Sequence, residues 1–257
     1  MERITSRKNP LLEHMRRLDG AAYRRAQGEF LCDSPKLVEE ALRHGAQLVS
    51  LAVSAGVTLP QGLAPDVRCV TVPKDVMTSV SSMRTPQGML AVCRMPDTAL
   101  PEVLAGQRYV VLDGVQDPGN VGTLCRTLYA LGGAGVILPR HNSAYLGPAA
   151  HRAAAGALER LPVARVTNLA HALDEAEEAG FSIYGAGCGP DAADAFEHAM
   201  QLPAVLVLGN EDKGLRPGVA KRCGRMLRIP LARKFDSLNV AQAGAILLGL
   251  AAMRRQG

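Results

Sequence analysis

Apolar and polar positions follow two rhythms along the 257 residues. Over 36–45, Leu37, Val38, Ala41 and Leu42 recur at helical spacing behind Ser34 and Pro35, a cap and a first-turn proline, which predicts a helix. Short apolar runs at 48–53, 68–72 and 89–93 read as strands, so the front of the chain is expected to be a small α/β sandwich. At 95–102 two prolines and small polar residues interrupt both rhythms. A domain boundary is expected there, with 1–95 in front, 96–106 as linker and 107–257 behind.

Behind the boundary the alternation sharpens. The run Tyr109, Val110, Val111, Leu112 is unbroken, as for a strand buried on both faces. A helix over 120–131 follows, then strands at 135–138 and 163–166, a helix at 170–179, and strands at 181–184, 204–208 and 227–230. The last element is an Ala/Leu-rich helix over 238–255, ending in Arg254 and Arg255 where cations suit the negative end of the dipole. Strands alternating with helices predict a parallel sheet covered on both faces, with ligands outside the carboxyl ends of its strands.

Composition narrows the class. Hydrophobic residues make up 47% and charged residues 21%, an ordinary globular balance that excludes disorder as the main state. The longest near-apolar stretch, 243–253, is 11 residues and too short to span a bilayer. Glu2, Arg3, Arg7 and Lys8 stand where the apolar run of a signal peptide would begin, so a cytoplasmic location without membrane attachment is expected. The six cysteines form no C-x-x-C pair and the six histidines no H-E-x-x-H, so reduced thiols and no metal site are expected.

The net charge of +5 says less than its distribution. Residues 1–28 hold seven basic groups against three acidic ones, and 213–234 hold eight basic groups and no acid, while 160–200 is acidic. Such blocks predict a positive face, and the excess of Arg over Lys suits bidentate phosphate contacts. The competing expectation is a solvated charged surface.

Three strand-exit loops carry the candidate chemistry. The first, 113–126, leaves a buried strand through Pro118, Gly119 and Asn120 and can present backbone N–H groups and an amide to a polar ligand. Arg126 follows among Leu124, Cys125 and Leu128, where a guanidinium is expected to have a task. In the second, 208–216, Gly209 and Gly214 have P-loop spacing, but Leu215 and Arg216 stand where Lys and Ser/Thr are required. Glu211 there is either a functional carboxylate or a surface acid. Gly185-x-Gly187-x-Gly189 misses the dinucleotide fingerprint, which disfavours a nicotinamide enzyme. In the third, 229–240, Ser237 and Asn239 either cap the last helix or handle a hydroxyl.

Together these residues resemble a known family. Asp117-Pro118-x-Asn120-x-Gly122 with Arg126, then Leu206-Val-Leu-Gly209-x-Glu211-x2-Gly214-Leu215, then Ile229-Pro230-Leu231 with Ser237-Leu238-Asn239-Val240 are similar to the three motifs of SpoU-type RNA ribose 2′-O-methyltransferases. Arg152-Ala-Ala-Ala-Gly-Ala157 resembles a further segment. Ile4-Thr-Ser6, Asn9-Pro10, Arg24 and Pro86-Gln87-Gly88 resemble the family's ribosomal-protein-like RNA-binding domain. Ala241 stands at a position where the family commonly has Ser, and Cys32-Asp-Ser-Pro-Lys36 replaces a commoner Glu-Gly-x-Arg pattern.

The resemblance implies a trefoil-knotted parallel-sheet domain behind the small RNA-binding domain, and a homodimer. It implies S-adenosylmethionine bound near Leu208, Gly209, Glu211, Gly214, Ile229, Leu231 and Leu238, and ribose 2′-O-methylation of structured RNA, ribosomal RNA ahead of transfer RNA. Asn120, Arg126, Glu211, Ser237 and Asn239 would form the catalytic set, and Arg7, Lys8, Arg16 and Arg24 would contact RNA. Arg126 stays protonated, so it is expected to hold phosphate and hydroxyl while phosphate or Glu211 takes the proton. The alternative is an RNA-binding module that kept this fold without catalysis.

Overall fold

A computed structural model describes residues 1–106, 108–233 and 237–253. The chain divides into two compact units, Met1–Met95 and Pro96–Gly257.

In the front unit β1 (Glu2–Arg3) leads to α1 (Pro10–Arg17), α2 (Ala21–Gln27), β2 (Glu29–Cys32), α3 (Pro35–Arg43), β3 (Leu48–Ser54), β4 (Arg68–Val72), α4 (Lys74–Thr78) and β5 (Met89–Arg94). The sheet order is β1-β4-β3-β5-β2, with β1 and β3 parallel to β4, and β2 and β3 antiparallel to β5. Helix starts follow local chemistry. Asn9 accepts from the Leu11 N–H at 2.9 Å ahead of Pro10, and Ser34 from the Leu37 N–H at 3.2 Å ahead of Pro35. Leu12, Met15 and Leu18 pack against Val70, Val72, Leu90 and Val92. The three apolar runs form β3, β4 and β5. β1, β2, α2 and α4 are too short to show a rhythm, whereas α1 carries one, Leu11, Leu12, Met15 and Leu18 behind the Asn9 cap and Pro10, which the sequence reading missed.

The rear unit runs α5 (Leu100–Val103), β6 (Arg108–Asp113), α6 (Pro118–Ala130), β7 (Gly135–Pro139), α7 (Pro148–Ala154), β8 (Val163–Val166), α8 (Leu169–Glu178), β9 (Ser182–Ala186), β10 (Ala193–Asp194), β11 (Ala204–Gly209), α9 (Pro217–Ala220), β12 (Arg225–Arg228) and α10 (Val240–Met253). Its seven-stranded sheet, β10-β12-β9-β11-β6-β7-β8, pairs parallel throughout. In β6, Val110 and Leu112 join the core shared with α6, α7 and α10, while Tyr109 and Val111 face the core shared with α8. That two-sided burial is what the unbroken apolar run encodes.

Two strands are displaced from their expected positions. The strand expected at 227–230 is β12 at Arg225–Arg228, because its ladder with β9 runs from Arg225↔Tyr184 to Leu227↔Ala186 and Pro230 has no N–H to extend it. The strand expected at 181–184 extends instead to Ala186, through Gly185, whose bare Cα leaves room for Met226 and Cys223. α7, not foreseen, packs so closely on α6 that a Cβ on Gly122 would stand 2.3 Å from the Ala150 carbonyl. Arg254 and Arg255 lie outside the described residues.

Candidate active site

The carboxyl ends of β6 and β11 are adjacent, with Gly209 paired in register to Asp113, so the loops that leave them meet. α6 is capped by Asp117, whose carboxylate accepts from the Asn120 N–H at 2.7 Å. This sets Asn120 in the first turn, where its side-chain Nδ2 donates to Glu211 Oε1 at 2.9 Å. Asn239 caps α10 by accepting from the Ala241 N–H at 2.8 Å, and its Nδ2 donates to Asn120 Oδ1 at 3.1 Å. Three residues from three strand exits thus form one relay, Asn239 to Asn120 to Glu211.

The loop after β11 is closed on itself. Asn210 and Gly214 exchange backbone hydrogen bonds of 3.1 and 2.9 Å, and Asn210 Oδ1 accepts from the Asp212 and Lys213 N–H groups at 3.1 Å each. Asn210 Nδ2 donates to the Gly114 carbonyl at 3.0 Å, tying the loop to the exit of β6. A second tie is the fully buried Asp113 carboxylate, which accepts from the Arg216 N–H at 2.7 Å and from its Nε at 2.5 Å. A buried carboxylate without such donors would be costly, so the pair locks loop to sheet. Gly209 is required by the same closure, because a Cβ there would lie 2.4 Å from the Gly214 carbonyl carbon.

Beside this loop opens a cleft of about 360 Å³, within the range of small-molecule sites. Leu208, Gly209, Glu211, Gly214, Ile229, Leu231, Ser237 and Leu238 all line it, so every residue expected to hold the cofactor is brought to one cavity. Its walls include the buried Leu208, Leu227 and Leu247, while Glu211, Asp212 and Lys213 are exposed. Apolar walls, bare glycine backbone and two carboxylates suit an adenine face and a sulfonium cation.

Arg126 stands apart from the relay. It lies on the exposed side of α6 with Thr123 and Ala130, while Leu124, Cys125 and Leu128 are turned to the core. The apolar neighbours in sequence are on the opposite side of the helix, and no carboxylate pairs with Arg126 among the described residues.

Comparison with known proteins places the chain. Residues 107–249 match the SpoU rRNA Methylase family, and residues 9–91 match the MRM3-like substrate binding domain. The chain belongs to the SpoU rRNA methylase family. It is 33% identical over 249 residues to the 23S rRNA (guanosine(2553)-2′-O)-methyltransferase RlmP of Bacillus subtilis, covering 96% of this chain and 98% of that protein. The SpoU methyltransferase AviRb of Streptomyces viridochromogenes, solved with AdoMet, superposes with a TM-score of 0.77 at 27% identity, over 96% of this chain and 98% of that one. A TrmH-family protein of Porphyromonas gingivalis gives a TM-score of 0.73 at 32% identity, over 95% and 97% of the two chains. As a SpoU methylase the chain is an RNA methyltransferase whose methyl donor is S-adenosylmethionine.

Several residues of this SpoU site escaped the sequence reading. Asn210 and Asp113 organise the loop, and Ala186, Gly187 and Cys188 line the cleft at the exit of β9. Their signal in the sequence is the run of glycines directly after β9, where Gly187 serves this cleft and not a dinucleotide fingerprint. The thiols are not part of the chemistry described. All six cysteines are free, three of them buried, and burial pushes Cys125 up to about 12 and Cys223 up to about 11, leaving neither a ready thiolate. Among the described residues no cluster could hold a metal ion, and no helix is long and apolar enough to cross a membrane.

The basic residues of the SpoU chain need sorting. Arg24 was expected to contact RNA, but its Nη1 donates to the Leu18 and Asp19 carbonyls, where helix-end acceptors lack partners, and so it closes the α1–α2 turn. Arg16 Nε donates to the Ser79 carbonyl at 2.9 Å, Arg7 pairs with Asp75 at 3.2 Å, and Lys8 is exposed. In the rear block Arg222 grips Asp174 of the acidic α8 with bonds of 2.6 and 2.9 Å, and Arg216 is held by Asp113. The expected basic face is therefore partly neutralised by the acids that separate the blocks in sequence. Lys234 lies outside the described residues.

Proposed function

We propose that this protein methylates a ribose 2′-hydroxyl of ribosomal RNA, with residues 107–257 as the catalytic part and 1–95 as the part that holds the RNA. The observation that carries the reading is the relay from Asn239 through Asn120 to Glu211 beside the cleft. A hydroxyl is a poor nucleophile, and a positioned acceptor and donor are what such a transfer lacks in water. S-adenosylmethionine supplies an electrophilic methyl group on a sulfonium. Asn120, held from both sides, orients the hydroxyl. The Glu211 carboxylate would accept the hydroxyl proton as the 2′-oxygen takes the methyl group. Ser237 completes the polar lining, and the exposed Arg126, which has no carboxylate partner among the described residues, binds the phosphate beside the target ribose.

The homodimer belongs to this reading. α10 (Val240–Met253) is apolar around its circumference apart from the exposed Gln242, yet only Val240, Ala241, Gly244, Leu247 and Leu248 are buried. A helix apolar all round is a buried helix, so its outer side favours a second copy. The trefoil threading is favoured by the strand order, in which β9, β11 and β12 lie on one side of β6 while α10 returns to pack on α6. A cytoplasmic location accords with a ribosomal substrate.

Ribosomal rather than transfer RNA follows the likeness to RlmP along the whole chain. The test is transfer of a labelled methyl group from S-adenosylmethionine to deproteinised 23S rRNA and, separately, to bulk tRNA, followed by mapping of 2′-O-methyl positions. Label on rRNA at a ribose is expected. Label on tRNA alone would overturn the substrate, and cofactor binding without transfer to any RNA would favour the module without catalysis.

A further inference from the structure

One end of the front unit is held together by an unusual carboxylate. Asp33, at the exit of β2 and only 9% exposed, accepts from Ser81 Oγ at both oxygens (2.9 and 2.8 Å), from the Ser82 N–H at 2.9 Å and from Ser82 Oγ at 3.3 Å. No cation engages it among the described residues. From the other side Arg16 of α1 donates to the Ser79 carbonyl at 2.9 Å and to the Arg7 carbonyl at 3.5 Å. The segment after α4 is thus fastened to two elements remote in sequence. Those fastenings gather three cationic segments at one end of the unit: Arg7 and Lys8 before α1, Lys36 in the first turn of α3, and Arg84 two residues past Ser82.

The charges gathered there differ from those elsewhere in the unit. Lys8, Lys36 and Arg84 are exposed and have no carboxylate partner among the described residues. Of the acids near these segments, Asp33 is engaged by hydroxyls and a backbone N–H and Asp75 by Arg7, which leaves Glu13 in the first turn of α1 as an exposed carboxylate among the cations. Arg24, by contrast, is turned to backbone carbonyls. Three free cations on a fastened frame, with the half-exposed Met83 beside Arg84, form a surface suited to a phosphodiester backbone with an apolar side chain for a base.

We propose that RNA docks on this end of the front unit through Lys8, Lys36 and Arg84, with Asp33 fixing the loop that presents Arg84. The proposal rests on the reading of the protein as an RNA methyltransferase and assigns where the substrate's backbone is held. Phosphate contacts of this kind position an RNA without reading its sequence, and each releases counterions, so affinity falls with salt at a log–log slope of about 0.7 per contact for single strands.

The test uses the full chain and a fluorescent mixed-sequence single-stranded RNA oligonucleotide, titrated across salt concentrations. Replacing Lys36→Ala and Arg84→Ala together is expected to weaken binding and flatten the slope by about 1.4, two contacts at about 0.7 each. Affinity for S-adenosylmethionine, measured by calorimetry on the same variant, is expected to stay unchanged. An unchanged slope while the unsubstituted protein binds RNA and methylates it would overturn this surface and leave the methyltransferase reading standing. Failure of the unsubstituted protein to bind or methylate any RNA would overturn both.

Discussion

The polar residues of the rear unit and the basic residues of the front unit were singled out by the same sequence, yet they meet different fates. Asn120, Glu211 and Asn239 converge on one another although the first lies about ninety residues from the second. Arg16 and Arg24, close together in sequence, turn to the unit's own backbone carbonyls. The difference lies in what fixes direction. Residues at the carboxyl ends of parallel strands are aimed by the sheet at a common edge, so motif position translates into geometry. A guanidinium carries five donors on a long stem, and the nearest orphan carbonyl takes it before any partner arrives. Motif position therefore predicts which side chains meet better than charge density does.

The comparison can be broken most visibly at Arg126. Arg126→Ala should lower single-turnover methyl transfer on the order of a hundredfold or more, as loss of a charge positioned at a reacting centre does. Its exposed position means thermal stability and S-adenosylmethionine affinity should hardly move. Normal single-turnover rates would remove Arg126 from the catalytic set.

Gly209→Ala comes next. The added methyl meets the Gly214 backbone, and such overpacking typically costs about 1–3 kcal/mol. Cofactor affinity measured by calorimetry should fall at least tenfold. Wild-type affinity would show that the loop closure is not what shapes the cleft.

A smaller effect sharpens the contrast from the front side. Arg24→Ala should lower the melting temperature by several degrees, in line with about 1.5–3 kcal/mol for hydrogen bonds to a charged group, without changing the salt slope of RNA binding. A flattened slope would return Arg24 to the RNA surface.

The smallest effect concerns pH. The hydrogen bonds from Arg222 hold the Asp174 carboxyl below its ordinary range. A depressed folded value means the stability it adds is present above the ordinary carboxylate range and is lost as pH falls through the folded value. Asp174→Asn should therefore melt slightly lower than wild type near neutrality, with the gap closing in acid. A gap independent of pH would assign the loss to packing instead.

The sequence showed the rear fold well because long, doubly buried strands leave unbroken apolar runs, as at 109–112 and 204–208. It showed the cleft too, since the residues expected at the cofactor line one cavity. The short front elements were missed because two-residue β1 and four-residue β2 are too brief to display a period. Asp113 and Asn210 were passed over for another reason. Their work is done by bonds to Arg216 and Gly114, partners about a hundred residues away that no local pattern announces.

The pairing of β6 with β11 carries a kinetic consequence. Leu112 and Leu208 sit opposite each other, so the chain must close a loop of nearly a hundred residues before the strands that hold the site can register. Loop-closure entropy precedes any reward from such contacts, which makes non-local parallel pairing slow. Neither half of the rear unit can assemble a working cleft while the other half is still being synthesised. A ligand of that cleft has nowhere to bind until the pairing exists, so it would stabilise only the finished unit and pull late-folding chains toward it by mass action.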